Sequence, residues 1–249
     1  MLLFLGDNMK ITFFDTISST NLYLKENYLS LNNLECVVAK HQTAGRGRLG
    51  RTWQDNDDLL MSILIKDNLN IEKIESLSLL ICSSIFKVLK RYLNNVQIKW
   101  PNDILVNGKK ICGILLESVF VEKIECVVLG FGVNVNHLNF DLELKDRATS
   151  LLLELKEEMN VKDLAQEIYE VFIVDYNEYI NGNEECFNIC KNNSYLINKK
   201  VIYNTFEKEE EAIVRDILKN GHILLETSSG LVEKSSGEIT FHYNYKQSD

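Results

Sequence analysis

ECVVAK at residues 35–40 runs straight into HQTAGRGRLGRTW at 41–53, and LLMSILIK follows at 59–66. The outer segments are short apolar runs of strand length, so the glycine-rich stretch joins one buried strand to another rather than a strand to a helix. That placement decides the fold. Gly45, Gly47 and Gly50 satisfy G-x-G-x-x-G, but a dinucleotide-binding turn opens a helix at its glycines, and here TWQDNDD comes next. Gly45 to Thr52 nearly spell a phosphate-binding loop, yet Arg51 stands where its lysine belongs and again no helix begins. A protein-kinase loop does lie between strands, but the chain has no HRD or DFG tripeptide to supply a base and a metal ligand.

The loop is locally cationic in an acidic chain. Lys40, Arg46, Arg48 and Arg51 fall in a window, Cys36 to Gln54, without one acidic residue, whereas the whole chain carries a net charge of −9. Glycines let backbone N–H groups come close to an anion, and arginine offers a permanently charged fork to carboxylate or phosphate. The stretch reads as a local anion site.

Outward from it, KITFFDTI (10–17) reads as a strand, and SSTN (18–21) supplies helix N-cap chemistry for an apolar-periodic run to about Tyr28. Residues 71–93 have helical periodicity, as do 161–180 and 184–193, with a loop near 138–147. ILVNGKKICGILLESV (104–119) places two apolar runs around Asn107-Gly108, a hairpin signal. KIECVVLGFGVNVN (123–136) continues the sheet, and a strand with a bulge at its glycines is the plain reading of GFGVNVN taken alone. From about residue 198 the pattern becomes short strands (VIYNTF, EAIVRDIL, HILLET, LVEK, EITFHY) with turns between them, one at Asn220-Gly221. EKEEE (207–211) reads as a solvated hairpin edge. The expected class is therefore α+β: a mixed sheet packed with helices over residues 1–195, then a small β-barrel over 196–249.

Composition narrows the setting. With 45% hydrophobic and 25% charged residues over 249 positions, the chain is globular, and it lacks any apolar run long enough for a membrane span. The opening MLLFL is too short for a signal-peptide core, so no targeting signal is assigned. Six cysteines form no CxxC pair and four histidines show no metal-ligand spacing, which predicts reduced core residues and a cytoplasmic protein. The acidic balance argues against broad nucleic-acid binding, which needs a basic face.

Two further clusters carry chemistry. KWPND (99–103) holds the sole proline, Pro101, which stops a strand, and Lys110 follows just after the hairpin turn, with Gly113 leaving space beside it. GFGVNVN (130–136) brings Asn134. A Gly/Arg loop, two lysines, an aspartate and an asparagine-bearing strand suit the joining of a carboxylate to a nucleotide phosphate. Like unit charges 4 Å apart repel by about 4 kcal/mol at an effective dielectric of 20, so such a reaction needs cations on both partners. Arg48 and Lys110 are the candidates, and Asp103 is the candidate Mg²⁺ ligand.

GRGRLGR, KWPND, GKKICGILLE and GFGVNVN, in this order, resemble the biotin protein ligases, and SSTN and GEITFH (237–242) also have counterparts there. The resemblance runs from about residue 10 to the C-terminus. It implies a class II synthetase-like catalytic domain followed by an SH3-like barrel, and a two-step reaction. Biotin and ATP give biotinyl-5′-adenylate and pyrophosphate; a lysine of an apo biotin carboxyl carrier protein then takes the biotinyl group. Carried over by motif position, Ser19, Thr20, Asn21 and Gln42 would hydrogen-bond biotin, with Gly45, Arg46, Gly47, Arg48, Lys110 and Gly113 around it. Arg46, Arg48, Arg51, Trp53, Lys99, Asn102 and Asn134 would serve the nucleotide, with Mg²⁺ at Asp103. The expected partners are the carrier, biotin and ATP, with neither DNA nor a membrane, for a monomer or homodimer.

Two departures stand out. Only about nine residues precede the first strand, so the expectation is a monofunctional ligase without the DNA-binding winged helix and repressor role of many bacterial relatives. His242 stands where many members carry arginine. Lipoate or octanoate ligases share the catalytic fold and form the nearest alternative, but their arginine and triple-glycine motif is missing. A nucleic-acid-binding module using the Gly/Arg loop and the barrel is the alternative from another class; the charge and the lack of a basic, aromatic-interleaved surface oppose it.

Overall fold

The structure, a computed structural model, describes residues 11–50, 53, 57–71, 74–204, 209–235 and 240–242. Arg51 and the first two residues of EKEEE lie outside them, as do the side chains at 240–242, His242 included.

Seven strands form the larger sheet: β1 (Ile11–Ile17), β2 (Cys36–Gln42), β3 (Leu59–Ile65), β4 (Val96–Lys99), β5 (Asp103–Val106), β6 (Lys109–Phe120) and β7 (Ile124–Val133). Their order is β1-β2-β3-β7-β6-β5-β4, parallel only between β1 and β2, so the sheet is mixed as expected. All seven residues of β3 are buried, consistent with a run that is apolar but for Ser62 inside a covered sheet. Asn107 and Gly108 both take positive φ (51° and 78°), the geometry that makes Asn-Gly a tight hairpin turn between β5 and β6.

Helices cover both faces. Helix α1 (Thr20–Asn27) is capped by Ser19 and buries Leu24 in a cluster with Val37, Leu64, Cys126 and Val128. On the opposite face α2 (Ile74–Tyr92) packs against α4 (Val161–Ile180) and α5 (Glu185–Asn192), each matching its periodicity. Helix α3 (Leu151–Leu155) was not foreseen; it is five residues long, capped by Ser150, too short to register as a period.

No bulge marks Gly130 or Gly132, against the plain reading of that stretch taken alone. The β3–β7 and β6–β7 registers run without a shift through both glycines, and the irregularities lie elsewhere, at Ile104/Leu105 and Val119/Phe120. These glycines answer to packing on one face of the strand.

The C-terminal strands β8 (Lys200–Asn204), β9 (Glu209–Ile217), β10 (Ile223–Thr227), β11 (Gly230–Lys234) and β12 (Thr240–His242) form a second, antiparallel sheet in the order β11-β10-β9-β8-β12. The glutamates of EKEEE that are described begin β9, with Glu209 and Glu211 exposed. Val201, Tyr203, Val214, Ile217, Ile223 and Leu225 join the main hydrophobic cluster, so the second sheet is packed onto the first body through apolar contact. All six cysteines are buried and free. Burial pushes the Cys36, Cys82 and Cys190 thiols well above their ordinary pKa, keeping them protonated. Among the described residues no helix is long and apolar enough to cross a membrane.

Candidate active site

The floor of the site is glycine. Gly113 on β6 pairs with Gly132 on β7, and Gly130 lies two residues along the same face. A methyl on Gly130 would stand 1.9 Å from Asn21 Oδ1, one on Gly132 2.4 Å from Trp53 Cε2, and one on Gly113 2.7 Å from Lys110 Nζ. Three side chains from three distant segments therefore lie directly on bare backbone. They border a cavity of about 490 Å³.

One end of that cavity is neutral and polar. Gln42, at the end of β2, accepts through Oε1 from the Thr20 backbone N–H (2.7 Å) and hydroxyl (3.1 Å). Ser62 Oγ lies 2.7 Å from Thr20 Oγ1 and 2.6 Å from Asn21 Oδ1. Asn21 Nδ2 donates to the Leu115 carbonyl (3.3 Å) and to Glu117 Oε2 (2.7 Å), while Lys25 Nζ donates to Glu117 Oε1 at 2.5 Å. Partial burial pulls the Glu117 pKa upward, but hydrogen bonds from Lys25 and Asn21 and the charges of Lys25 and Arg46 outweigh it, and the net shift is downward.

The other end is charged. Arg48, in a 3-10 turn of the Gly/Arg loop, donates from Nη1 to Asn102 Oδ1 (3.1 Å), and Asn102 is pinned by its Nδ2 donating to the Ile114 carbonyl (2.7 Å). Lys110 Nζ lies 2.7 Å from Asp103 Oδ1, a close ion pair in the cavity wall. The same ammonium stands 5.6 Å from the centre of the Trp53 ring, within cation–π range. Trp53 Nε1 is a buried donor without a partner, the kind of orphaned group a ligand would satisfy. Asn134 Nδ2 donates to the Thr149 carbonyl (2.9 Å) and reaches the Lys110 carbonyl (3.5 Å), tying β7 to the strand that carries the lysine. Among the described residues no group of three or more His, Cys, Asp or Glu could hold a metal by itself.

The biotin/lipoate A/B protein ligase family matches over residues 13–134. The bifunctional ligase/repressor BirA of Bacillus subtilis is 32% identical over 239 residues, covering 92% of this chain and 73% of that protein. The chain belongs to the biotin/lipoate protein ligase family. Its counterpart in Bacillus spizizenii, also a bifunctional ligase/repressor BirA, is 38% identical over 175 residues, 67% of this chain but about half (53%) of that protein's length. Among solved structures, the biotin protein ligase of Aquifex aeolicus in complex with biotin and ATP has a TM-score of 0.83 at 25% identity, covering 94% of this chain and 98% of its own.

In this member of the biotin/lipoate ligase family, most of the residues expected from sequence converge. Ser19, Thr20, Asn21, Gln42, Arg46 and Gly47 line the cavity; so do Arg48, Trp53, Lys99 and Asn102, and Asp103, Lys110, Gly113 and Asn134 complete the expected set. Gly45 does not: it is buried behind the wall, where an added methyl would stand 3.1 Å from the Trp53 carbonyl oxygen, and its own carbonyl accepts from Trp53 N–H. Arg51 lies outside the described residues.

The sequence reading missed a third wall. His137, Phe140 and Leu144 line the cavity beyond the end of the family match, with the His137 and Phe140 rings stacked at 4.2 Å. His137 Nδ1 lies 3.1 Å from buried Asp58, which also accepts from Val135 N–H at 2.8 Å. Ser62 and Glu117 were missed too. Ser62 had a signal, as the lone hydroxyl in an all-buried apolar strand; Glu117 closes the GKKICGILLE motif, but nothing local says that it reaches Asn21, 96 residues away.

Proposed function

We propose that the chain is an ATP-dependent biotin protein ligase. The observation that carries this reading is that Arg48 and Lys110, from two separate segments, line one cavity whose far end is the neutral Thr20, Asn21 and Gln42 network. A neutral ring rich in donors and acceptors suits that end, and an acid meeting a phosphate suits the other. The Aquifex aeolicus relative, solved with biotin and ATP, supports the same assignment.

In the first step a carboxylate oxygen of biotin attacks the α-phosphorus of ATP, the bond to the bridging oxygen breaks, and pyrophosphate leaves. Lys110 and Arg48 offset the repulsion between the two anions and hold the developing charge. Thr20, Asn21 and Gln42 hold the ureido ring, with Ser19 fixing the start of α1 behind them. Trp53 offers its indole to the nucleotide, Arg46 and Lys99 add positive charge, and Asn102 and Asn134 position Arg48 and Lys110. Mg²⁺ arriving with ATP would neutralise the pyrophosphate. Asp103, in the cavity wall beside Lys110, is the carboxylate this chain would offer it, in keeping with a metal that takes one or two carboxylates plus phosphate oxygens. In the second step the amine of a carrier lysine attacks the acyl carbon, the bond to AMP breaks and AMP departs; the amine loses its proton. The carrier is the biotin carboxyl carrier protein, and the six buried free thiols fit a reducing cytoplasm.

The test is to incubate purified protein with ATP, Mg²⁺ and either biotin or lipoate, following pyrophosphate release and label transfer to an apo carrier domain. Biotin-dependent release and transfer are expected. Turnover with lipoate alone overturns the substrate assignment.

A further inference from the structure

Asn21 has both amide hydrogens committed to the protein. Its Nδ2 faces two groups that can only accept, the Leu115 carbonyl at 3.3 Å and the Glu117 carboxylate at 2.7 Å, so the amide cannot be turned over without setting oxygen against oxygen. Its Oδ1 accepts at most the one hydrogen of Ser62 (2.6 Å), for which Thr20 Oγ1 at 2.7 Å competes, so at least one lone pair is left for the cavity that Asn21 lines. Glu117 is itself held from behind by Lys25 at 2.5 Å and is only 24% exposed. Neither Glu117 nor Lys25 lines the cavity.

We infer that Glu117, anchored by Lys25, is a specificity-determining positioning residue: it fixes the Asn21 amide so that the cavity shows an acceptor, selecting a ligand ring that carries an N–H group. This deepens the biotin reading and rests on it, because a ureido ring has such hydrogens and a dithiolane or a plain acyl chain has none. The Glu117–Lys25 pair acts through Asn21 and touches no reacting atom.

The test compares steady-state constants of the full chain. In Glu117→Leu the Asn21 amide loses its anchor, and KM for biotin rises about tenfold or more while KM for ATP stays within twofold. A glutamine offers one acceptor oxygen, enough for Asn21 once the competing ammonium is gone. Lys25→Met/Glu117→Gln therefore brings KM for biotin back to within about threefold of wild type, a rescue that a purely structural role does not produce. Melting temperatures of all variants are recorded alongside. If Glu117→Leu does not fold, Lys25→Met/Glu117→Met replaces it as the variant without an acceptor. A biotin KM unchanged without the acceptor, or raised equally with that for ATP, overturns the inference, as does a double variant no better than Glu117→Leu. Wild-type protein inactive with biotin overturns the function itself and the inference with it; an active wild type beside an unresponsive Glu117→Leu overturns the inference alone.

Discussion

The indole Nε1 of Trp100 donates to the carbonyl of Gly221 at 2.8 Å, joining the KWPND corner at the cavity wall to the β9–β10 turn of the second sheet. Trp100 is 1% exposed, and Gly221 has φ +95°, with space for a methyl denied by the Glu75 backbone carbon at 2.6 Å. Both ends of the bond are thus sterically fixed. Trp100→Phe removes the N–H and part of the buried ring system, stranding the carbonyl and leaving a void, and a loss of at least about 1–3 kcal/mol is expected from urea denaturation. Gly221→Ala loses more, since it adds backbone strain to a clash. Unchanged urea midpoints for both would show that the sheets are held by apolar contact alone.

The floor glycines separate the two ends of the cavity. A methyl at position 130 collides with Asn21 and one at 132 with Trp53. Gly130→Ala is expected to weaken biotin binding by about a hundredfold or more with ATP binding less affected, and Gly132→Ala to do the reverse. Calorimetric titration of each ligand measures this; the opposite pattern would dissociate Trp53 from the nucleotide.

Arg48 donates to Asn102 at 3.1 Å, and both line the cavity. With Arg48→Gly the loop loses that tether and its charge, so adenylate escapes and acylates bystander lysines. Radiolabelled adenylate should leave the variant faster than wild type, and labelled bystander protein should accumulate. Retention equal to wild type counts against Arg48 as the residue that holds the adenylate in place.

Glu117 makes stability pH-dependent with a defined sign. Its folded pKa lies below the unfolded value because Lys25 and Asn21 hydrogen bonds and the Lys25 and Arg46 charges outweigh the burial that raises it. Its contribution is therefore full above the unfolded carboxylate pKa and lost as pH falls through the folded one. The stability gap between wild type and Glu117→Gln should be constant from neutrality down to about pH 5 and shrink below it. A gap that grows on acidification would mean the shift has the opposite sign.

Much of the fold was readable because local signals agreed. Asn107-Gly108 specified its turn, Ser19 its helix start, and the run at 59–65, apolar but for Ser62, a strand covered on both faces. The charged half of the site was readable because Arg48, Lys99 and Lys110 are conspicuous in short motifs. What escaped depends on contacts between distant segments. Gly130 and Gly132 looked like a bulge because nothing local says that Asn21 and Trp53 rest on them. Gly45 looked like a ligand contact, yet its close neighbours are Trp53 and Gln42. Asp58, in a run resembling plain solvated loop, is 1% exposed and holds Val135 and His137.

Bare main chain beneath a pocket has an evolutionary consequence. Where Gly113, Gly130 and Gly132 leave no side chains, there is nothing to trade for a different shape or polarity, and any substitution only takes away room. A variant of this scaffold selected for another acid is therefore expected to carry its changes on the rim and to keep the base.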